Sequence, residues 1–230
     1  MFESRSYEAE LMDDFSGFGK DWAQTLDELE IINRFLGGYN VTLDALGRSI
    51  HRRNDKQPIT IADLGCGGGD SLRVMAKWFR KKEIKASLTG IDANEFVIQY
   101  AENKSKGFPE LDFIHRDIFS NDFKASGYDI IACSLFCHHF TEDQLIDMFS
   151  KIKERRSAVI INDLHRHPLA YYSIKLLVKF FSRSPLVKND GPLSVRRAFK
   201  KHELENILEK AGIENYSIRW MWAFRWQVIF

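Results

Sequence analysis

The stretch Ile59-Thr60-Ile61-Ala62-Asp63-Leu64-Gly65-Cys66-Gly67-Gly68-Gly69-Asp70 decides how the rest of the chain is read. Ile59 to Leu64 is a short apolar β-type run that gives way at once to glycines. Ser71 to Arg80 then carry helical spacing, with Leu72, Met75, Ala76 and Phe79 on one face. Strand, glycine turn and helix is the unit by which an open α/β sheet brings backbone N–H groups to a ligand. Gly65, Gly67 and Gly69 permit close backbone approach or positive φ. The helix start adds free N–H donors and a partial positive charge. A dinucleotide fingerprint needs its third glycine where Asp70 stands; this loop reads D-x-G-x-G-x-G from Asp63 through Gly69. The plain alternative is a tight βα turn with no ligand.

Acids recur at the ends of the strands that follow. Ala86-Ser-Leu-Thr-Gly-Ile-Asp92 is a second strand, and a helix covers Glu95 to Ser105. Leu111-Asp-Phe-Ile-His-Arg-Asp117 is a third strand with a terminal acid, and Ser157-Ala-Val-Ile-Ile-Asn-Asp163 a fifth. Between them Tyr128 to Cys133 leads into Ser134-Leu-Phe-Cys-His-His-Phe140, and Thr141 reads as the N-cap of a helix over Glu142 to Glu154. Carboxylates are poor strand formers and repel one another unless cationic or hydrogen-bonding groups lie among them. A carboxylate placed as Asp92 is can accept both hydroxyls of a ribose.

In order and spacing, residues 59–163 resemble class I S-adenosylmethionine (SAM)-dependent methyltransferases, with Asp63–Gly69 as motif I and Ser134–Phe140 as motif IV. Glu10-Leu-Met-Asp-Asp14 and Ile32-Asn-Arg-Phe-Leu-Gly-Gly38 resemble the opening of bacterial small-molecule methyltransferases that accompany aromatic polyketide pathways. The resemblance implies an α/β fold: a Rossmann-like, seven-stranded, mostly parallel sheet with helices on both faces, an N-terminal helical extension and a helical lid inserted after strand five. It implies SAM as cofactor, its amino-acid end over Gly65, Cys66 and Gly67 beside Asp63, its ribose at Asp92 and Ala93. Its adenine then falls to Asp117 and the N–H of Ile118, with Ser134 also in the cofactor site. Arg34 is a candidate for the SAM carboxylate, which a guanidinium matches as a fork; a solvated helix arginine is the alternative.

One domain is expected, made of an N-terminal helical cap (1–58), the SAM-binding core (59–163), the lid (164–199), and a final helix with strands (200–230). The first fifty residues read as helices, one striped by Leu26, Leu29, Ile32 and Phe35 and closed by Gly37-Gly38, another over Val41 to His51. Arg52 to Pro58 read as a linker. In the lid, Tyr171, Ile174, Leu177, Val178 and Phe181 share a helical face, and Asn189-Asp-Gly-Pro192 reads as a turn. That face is expected to make the acceptor pocket; packing on the sheet, a dimer interface and, given Lys175, Lys179 and Arg183, shallow membrane contact are the alternatives. Lys201 to Ala211 is a helix ended by Gly212, and Ile213–Met221 and Phe224–Phe230 close the sheet.

Methyl transfer from a sulfonium needs an aligned nucleophile and exclusion of water. A phenol, with a reference pKa of about 10, needs a base, and histidine is the natural one. His138 and His139 follow strand four, and His165 and His167 follow strand five; the candidates for catalysis are His139, His165 and His138. No metal is expected, because catechol methyltransferases hold their ion with carboxylates and amides rather than imidazoles. The reading is O-methylation of a small phenolic or quinol-like acceptor, with carbon methylation of a quinone precursor or a protein or RNA substrate as alternatives. Net charge is +1 over 230 residues, with 44% hydrophobic and 28% charged residues, which argues against a nucleic-acid partner. Buried-type Cys66, Cys133 and Cys137 suit a reducing compartment. No apolar run reaches spanning length, so the expectation is a cytoplasmic monomer or homodimer without stable membrane insertion.

Overall fold

A computed structural model describes residues 2–14, 20–50, 57–120, 127–155 and 157–230. Among these, seven strands form one sheet in the order β3-β2-β1-β4-β5-β7-β6. They are β1 (Ile59–Leu64), β2 (Ala86–Asp92), β3 (Leu111–His115), β4 (Ile130–Ser134), β5 (Ala158–Leu164), β6 (Ser217–Met221) and β7 (Arg225–Ile229). The first five run parallel, and β7 lies antiparallel between β5 and β6. The chain order turns back at β1, between β2 and β4, and that reversal opens a crevice outside the carboxyl ends of the strands.

Helices cover both faces, as the near-continuous apolar runs of the central strands require. They are α1 (Lys20–Phe35), α2 (Gly38–Ile50), α3 (Asp70–Lys81), α4 (Glu95–Lys104), α5 (Glu142–Lys153), α6 (Pro168–Phe181), α7 (Pro185–Arg197) and α8 (Lys201–Lys210). On one face Leu46, Leu72, Met75 and Phe79 pack over Ile61 and Leu88. On the other Leu145, Phe149, Leu204 and Ile207 pack over Ile131 and Val159.

Three expectations are corrected. Residues 2–14 are not helical: apart from a 3-10 turn at Leu11–Asp13 they run as a strap over α7 and the loop after β4. Arg5 fastens it, donating to the carbonyls of Arg197 (2.8 Å), His138 (3.2 Å) and Phe140 (3.0 Å). Second, Asn189 to Pro192 is not a turn, because α7 runs straight through it. Ser184 caps that helix and Pro185 opens it, two start signals that agree. Gly191 packs beside Ile174 and Val178 of α6, and Asp190 accepts the N–H groups of Leu11 (2.9 Å) and Met12 (3.0 Å). These contacts outweigh the hydrogen bond that Pro192 removes. Third, the expected pocket face of α6 does not line the cavity: Tyr171, Ile174 and Leu177 are half-buried and Val178 is buried, whereas Phe181 is 81% exposed. It is α7 that reaches the crevice, with Val187, Asp190, Gly191 and Ser194.

Smaller shifts concern element ends. Helix α2 begins at Gly38, β3 stops two residues short of Asp117, and β6 begins at Ser217. His51 and the expected linker over Arg52–Lys56 lie outside the described residues. Since Asp190 is buried and takes both strap N–H groups, Asp190→Ala should cost about 1–3 kcal/mol of stability. Hydrogen exchange should accelerate in residues 2–14 before the core; unchanged protection there would show that the strap is held by other contacts.

Candidate active site

The glycine loop hangs from β2: the N–H groups of Gly65 (2.8 Å) and Cys66 (3.1 Å) both donate to the Ile91 carbonyl. At Gly65, with φ of +65°, an added Cβ would lie 2.0 Å from the Phe136 ring, so this glycine is required by packing. At Gly67, with φ of +52°, an added Cβ would meet nothing within 4 Å; the loop there leaves space for something else. Arg73 of α3 stiffens the arrangement, donating to the Gly68 carbonyl and to Glu30 of α1, each at 2.7 Å.

Above the loop lies a cavity of about 660 Å³. It gathers Asp63, Gly65, Cys66 and Gly67 from the first turn, and Asp92 and Ala93 from the second. Asp117 and Ile118 line it after β3, and Ser134, His138 and His139 after β4. Arg34 is not among the lining residues: it is 65% exposed and pairs with Glu30 at 2.8 Å. His165 is also elsewhere, its ring 4.7 Å from Trp226 and 5.4 Å from His167. Burial, with His167, Arg166 and Lys200 nearby, pushes its pKa down to about 4. His167 caps α6 through its Nδ1, which accepts from Leu169 N–H at 3.2 Å.

The cavity lining carries charges of both signs that are incompletely matched. Burial, with Asp70 and Asp92 close by, raises the Asp63 carboxyl well above its usual range, and its Oδ1 has no partner. Asp92 accepts from Gly67 N–H (3.1 Å) and Asn94 N–H (3.0 Å), yet burial still holds its pKa above the ordinary value. A positive charge comes from Arg225 of β7, a residue that sequence reasoning missed because it reads there as one polar position in a terminal strand. Arg225 is buried, donates to Asn33 (3.0 Å) and Asn162 (3.3 Å), and keeps an unpartnered Nε. Burial lowers its pKa to about 10. Gly38 makes way for it, since a Cβ there would lie 2.7 Å from its Nη2.

A histidine cluster forms the remaining wall. His138 is buried; its Nδ1 is 2.7 Å from Asp163 Oδ1, and its backbone N–H donates to Asp163 Oδ2 at 3.1 Å. Burial works against the Asp163 carboxylate, but His138 and the Leu164 N–H hold its pKa below the usual value. His139 places its Nδ1 2.7 Å from Asp13, which His139, the Glu10 N–H and Arg197 hold well below the carboxylate range despite burial. Glu10 completes the group, with Oε1 3.7 Å from His138 Nε2 and 3.0 Å from the donating Ser194 hydroxyl. Burial pushes its pKa up to about 7, against His139, Arg197 and Ser194. Glu10 and Asp13 belong to the one segment whose functional signal in the sequence was resemblance alone.

Residues 61–155 match the family described as a methyltransferase domain. That stretch holds the glycine loop, β2 to β4 and most of β1. A mitochondrial ubiquinone biosynthesis O-methyltransferase of Schizosaccharomyces pombe is 24% identical over 174 residues, 73% of this chain and 60% of that protein. The chain therefore spans 60% of the length of this curated relative. Among solved structures, a SAM-dependent methyltransferase from Aquifex aeolicus shares the fold with a TM-score of 0.63 and 16% identity, over 93% of this chain and 98% of its own. The plantazolicin methyltransferase BpumL in complex with SAH gives 0.58 and 24%, over 86% and 77%. Asp63 and Arg225, each with one buried polar atom that lacks a partner, are both among the residues that line the cavity.

Gly67→Val should weaken binding of the demethylated cofactor by tenfold or more in calorimetry, since the side chain enters the open space at a φ that disfavours it; native affinity would show that the ligand lies elsewhere. Glu10 titrates near 7 when folded and at its ordinary value when unfolded. Its buried charge thus removes up to about 3 kcal/mol of stability as pH rises from about 4.5 to 7. Thermal unfolding of Glu10→Gln should lack that loss, its midpoint gaining on the native protein as pH increases; parallel pH curves would contradict this.

Proposed function

We propose that the protein methylates a hydroxyl of a small phenolic or quinol-like acceptor. The observation that carries this reading is one cavity with two chemically different halves. The half over the glycine loop has the charges described above. The other half has apolar walls, among them Met12, Phe119, Phe140 and Val187, around the polar cluster of Glu10, His138 and His139. Apolar walls with a few convergent polar groups suit an aromatic ring that carries a hydroxyl.

S-adenosylmethionine supplies a methyl group already activated on a sulfonium. The protein's share is binding, alignment and removal of the acceptor's proton. Asp63 is assigned to the cofactor's ammonium, Arg225 with Asn33 to its carboxylate, and Asp92 to the ribose hydroxyls. Asp117 and Ile118 are left for the adenine, and Ser134, beside Thr42 at 3.2 Å, lies under the reacting end. The strap and α7 cover the apolar half, which keeps water from the transfer. The cluster of Glu10, His138 and His139 promotes loss of the acceptor hydroxyl's proton, which leaves the electron pair on oxygen free to attack the methyl carbon.

A panel of phenols, catechols and hydroquinones incubated with methyl-labelled cofactor tests the reading, with NMR of the product to locate the methyl. A methyl ether is expected; a new carbon–methyl bond would favour carbon methylation, and labelling confined to added protein or RNA would overturn the small-acceptor reading. His139→Ala should slow turnover on the best acceptor by on the order of a hundredfold. The loss should shrink for phenols already ionised at the assay pH, and an equal loss on all acceptors would point to a structural role.

A further inference from the structure

The cluster of Glu10, His138 and His139 has the makeup of a metal centre. A carboxylate oxygen of Glu10 and one ring nitrogen from each histidine lie within 4.8 Å of one another. The two imidazoles face each other with centroids 4.4 Å apart and planes tilted by 33°. Each ring is backed by an acid on the same atom, Nδ1, at 2.7 Å: Asp163 for His138 and Asp13 for His139. A carboxylate at Nδ1 fixes the proton there and leaves Nε2 as a lone pair. A single base would need one backed imidazole. Two, converging with a third carboxylate, form the arrangement in which proteins orient histidines toward a metal ion.

We propose that Glu10, His138 and His139 bind one divalent transition-metal ion of the zinc type, through a carboxylate oxygen and the two imidazole Nε2 atoms. Two nitrogens and one oxygen favour zinc, cobalt or nickel over magnesium. Three protein ligands leave a coordination position open, as catalytic sites of this kind do, and here the cluster borders the cavity. Donors about 2.1 Å from a tetrahedral ion stand roughly 3.4 Å apart. His138 Nε2 and Glu10 Oε1 are already 3.7 Å apart, so a small inward turn of the third ligand completes the set. Arg197, 3.7 Å from Glu10, is occupied by Asp13 at 2.8 Å and by the carbonyls of Glu8 (2.9 Å) and His139 (2.7 Å).

In its role, though not in its existence, the site rests on the methyl-transfer reading. The open position takes the acceptor hydroxyl oxygen, which the ion makes more acidic. The O–H bond breaks and its proton passes to bulk water. The electron pair left on oxygen forms the bond to the methyl carbon, and the C–S pair stays with sulfur. The expectation of no metal weighed the histidines without Glu10, which the strap brings to them.

The test is a titration of chelator-treated, dialysed protein with Co²⁺, followed by visible absorption. Expected are the ligand-field bands of a four-coordinate site saturating at one equivalent, and their loss on adding Zn²⁺. Glu10→Gln and His139→Ala should each weaken cobalt binding by about tenfold or more, while calorimetry with the demethylated cofactor shows an unchanged affinity and therefore an intact fold. A wild-type protein that gives no saturable bands, or variants that bind cobalt as tightly as wild type, would overturn the site. Failure of the methyl-transfer reading looks different: stoichiometric cobalt binding in a protein that methylates none of the acceptor panel keeps the site and removes its role.

Discussion

The buried contact between Asp163 and His138 is the joint on which the acceptor half of the cavity depends. Asp163, at the end of β5, accepts from the ring and backbone of His138 and from the backbone of Leu164. A carboxylate this deep tolerates its charge only because these donors surround it. The contact fixes the loop after β4, and the loop in turn offers its carbonyls outward. Arg5 and Arg197 take the carbonyls of His138, His139 and Phe140, and so hold the strap and α7 where they are. Removing one partner would leave an uncompensated buried charge, a loss of several kcal/mol rather than of one hydrogen bond.

Polarity divides the cavity along the same line. Over the glycine loop Asp70 and Asp92 add to burial in raising the cost of ionising Asp63. Arg225, buried and with an unpartnered Nε, is a cation among the same lining residues. In the acceptor half, each acid of the cluster is matched to an imidazole or a guanidinium. Asp63 thus keeps an unpartnered oxygen, whereas Glu10, Asp13 and Asp163 each have an imidazole beside them.

The parts of this arrangement that were legible in the sequence are those that local chemistry writes. The strand–glycine–helix unit, the acid at the end of β2 and the Thr141 cap before α5 each sit in a window of a few residues. Residues 61–155, matched as a methyltransferase domain, fall within that readable part. What was not legible depends on pairing across long separations. Arg34 carries the same guanidinium as Arg225, and nothing in its neighbourhood tells that one points to solvent while the other is buried beneath Gly38. His165, like His138, follows the end of a parallel strand, but its ring packs against Trp226. The turn-like Asn189–Pro192 becomes helical because Asp190 has a partner 178 residues away. The strap follows the same rule, for its extended course is set by what it covers.

Residues 1–14 are proposed to complete the acceptor site over a core that binds the cofactor without them. Removal of residues 1–14, with cofactor-product affinity and methyl transfer to the best acceptor measured on the same preparation, tests it most directly. The account predicts product affinity within a few-fold of native, which also certifies the fold, together with a loss of transfer of at least about a hundredfold. Transfer at the native rate without the strap would contradict it.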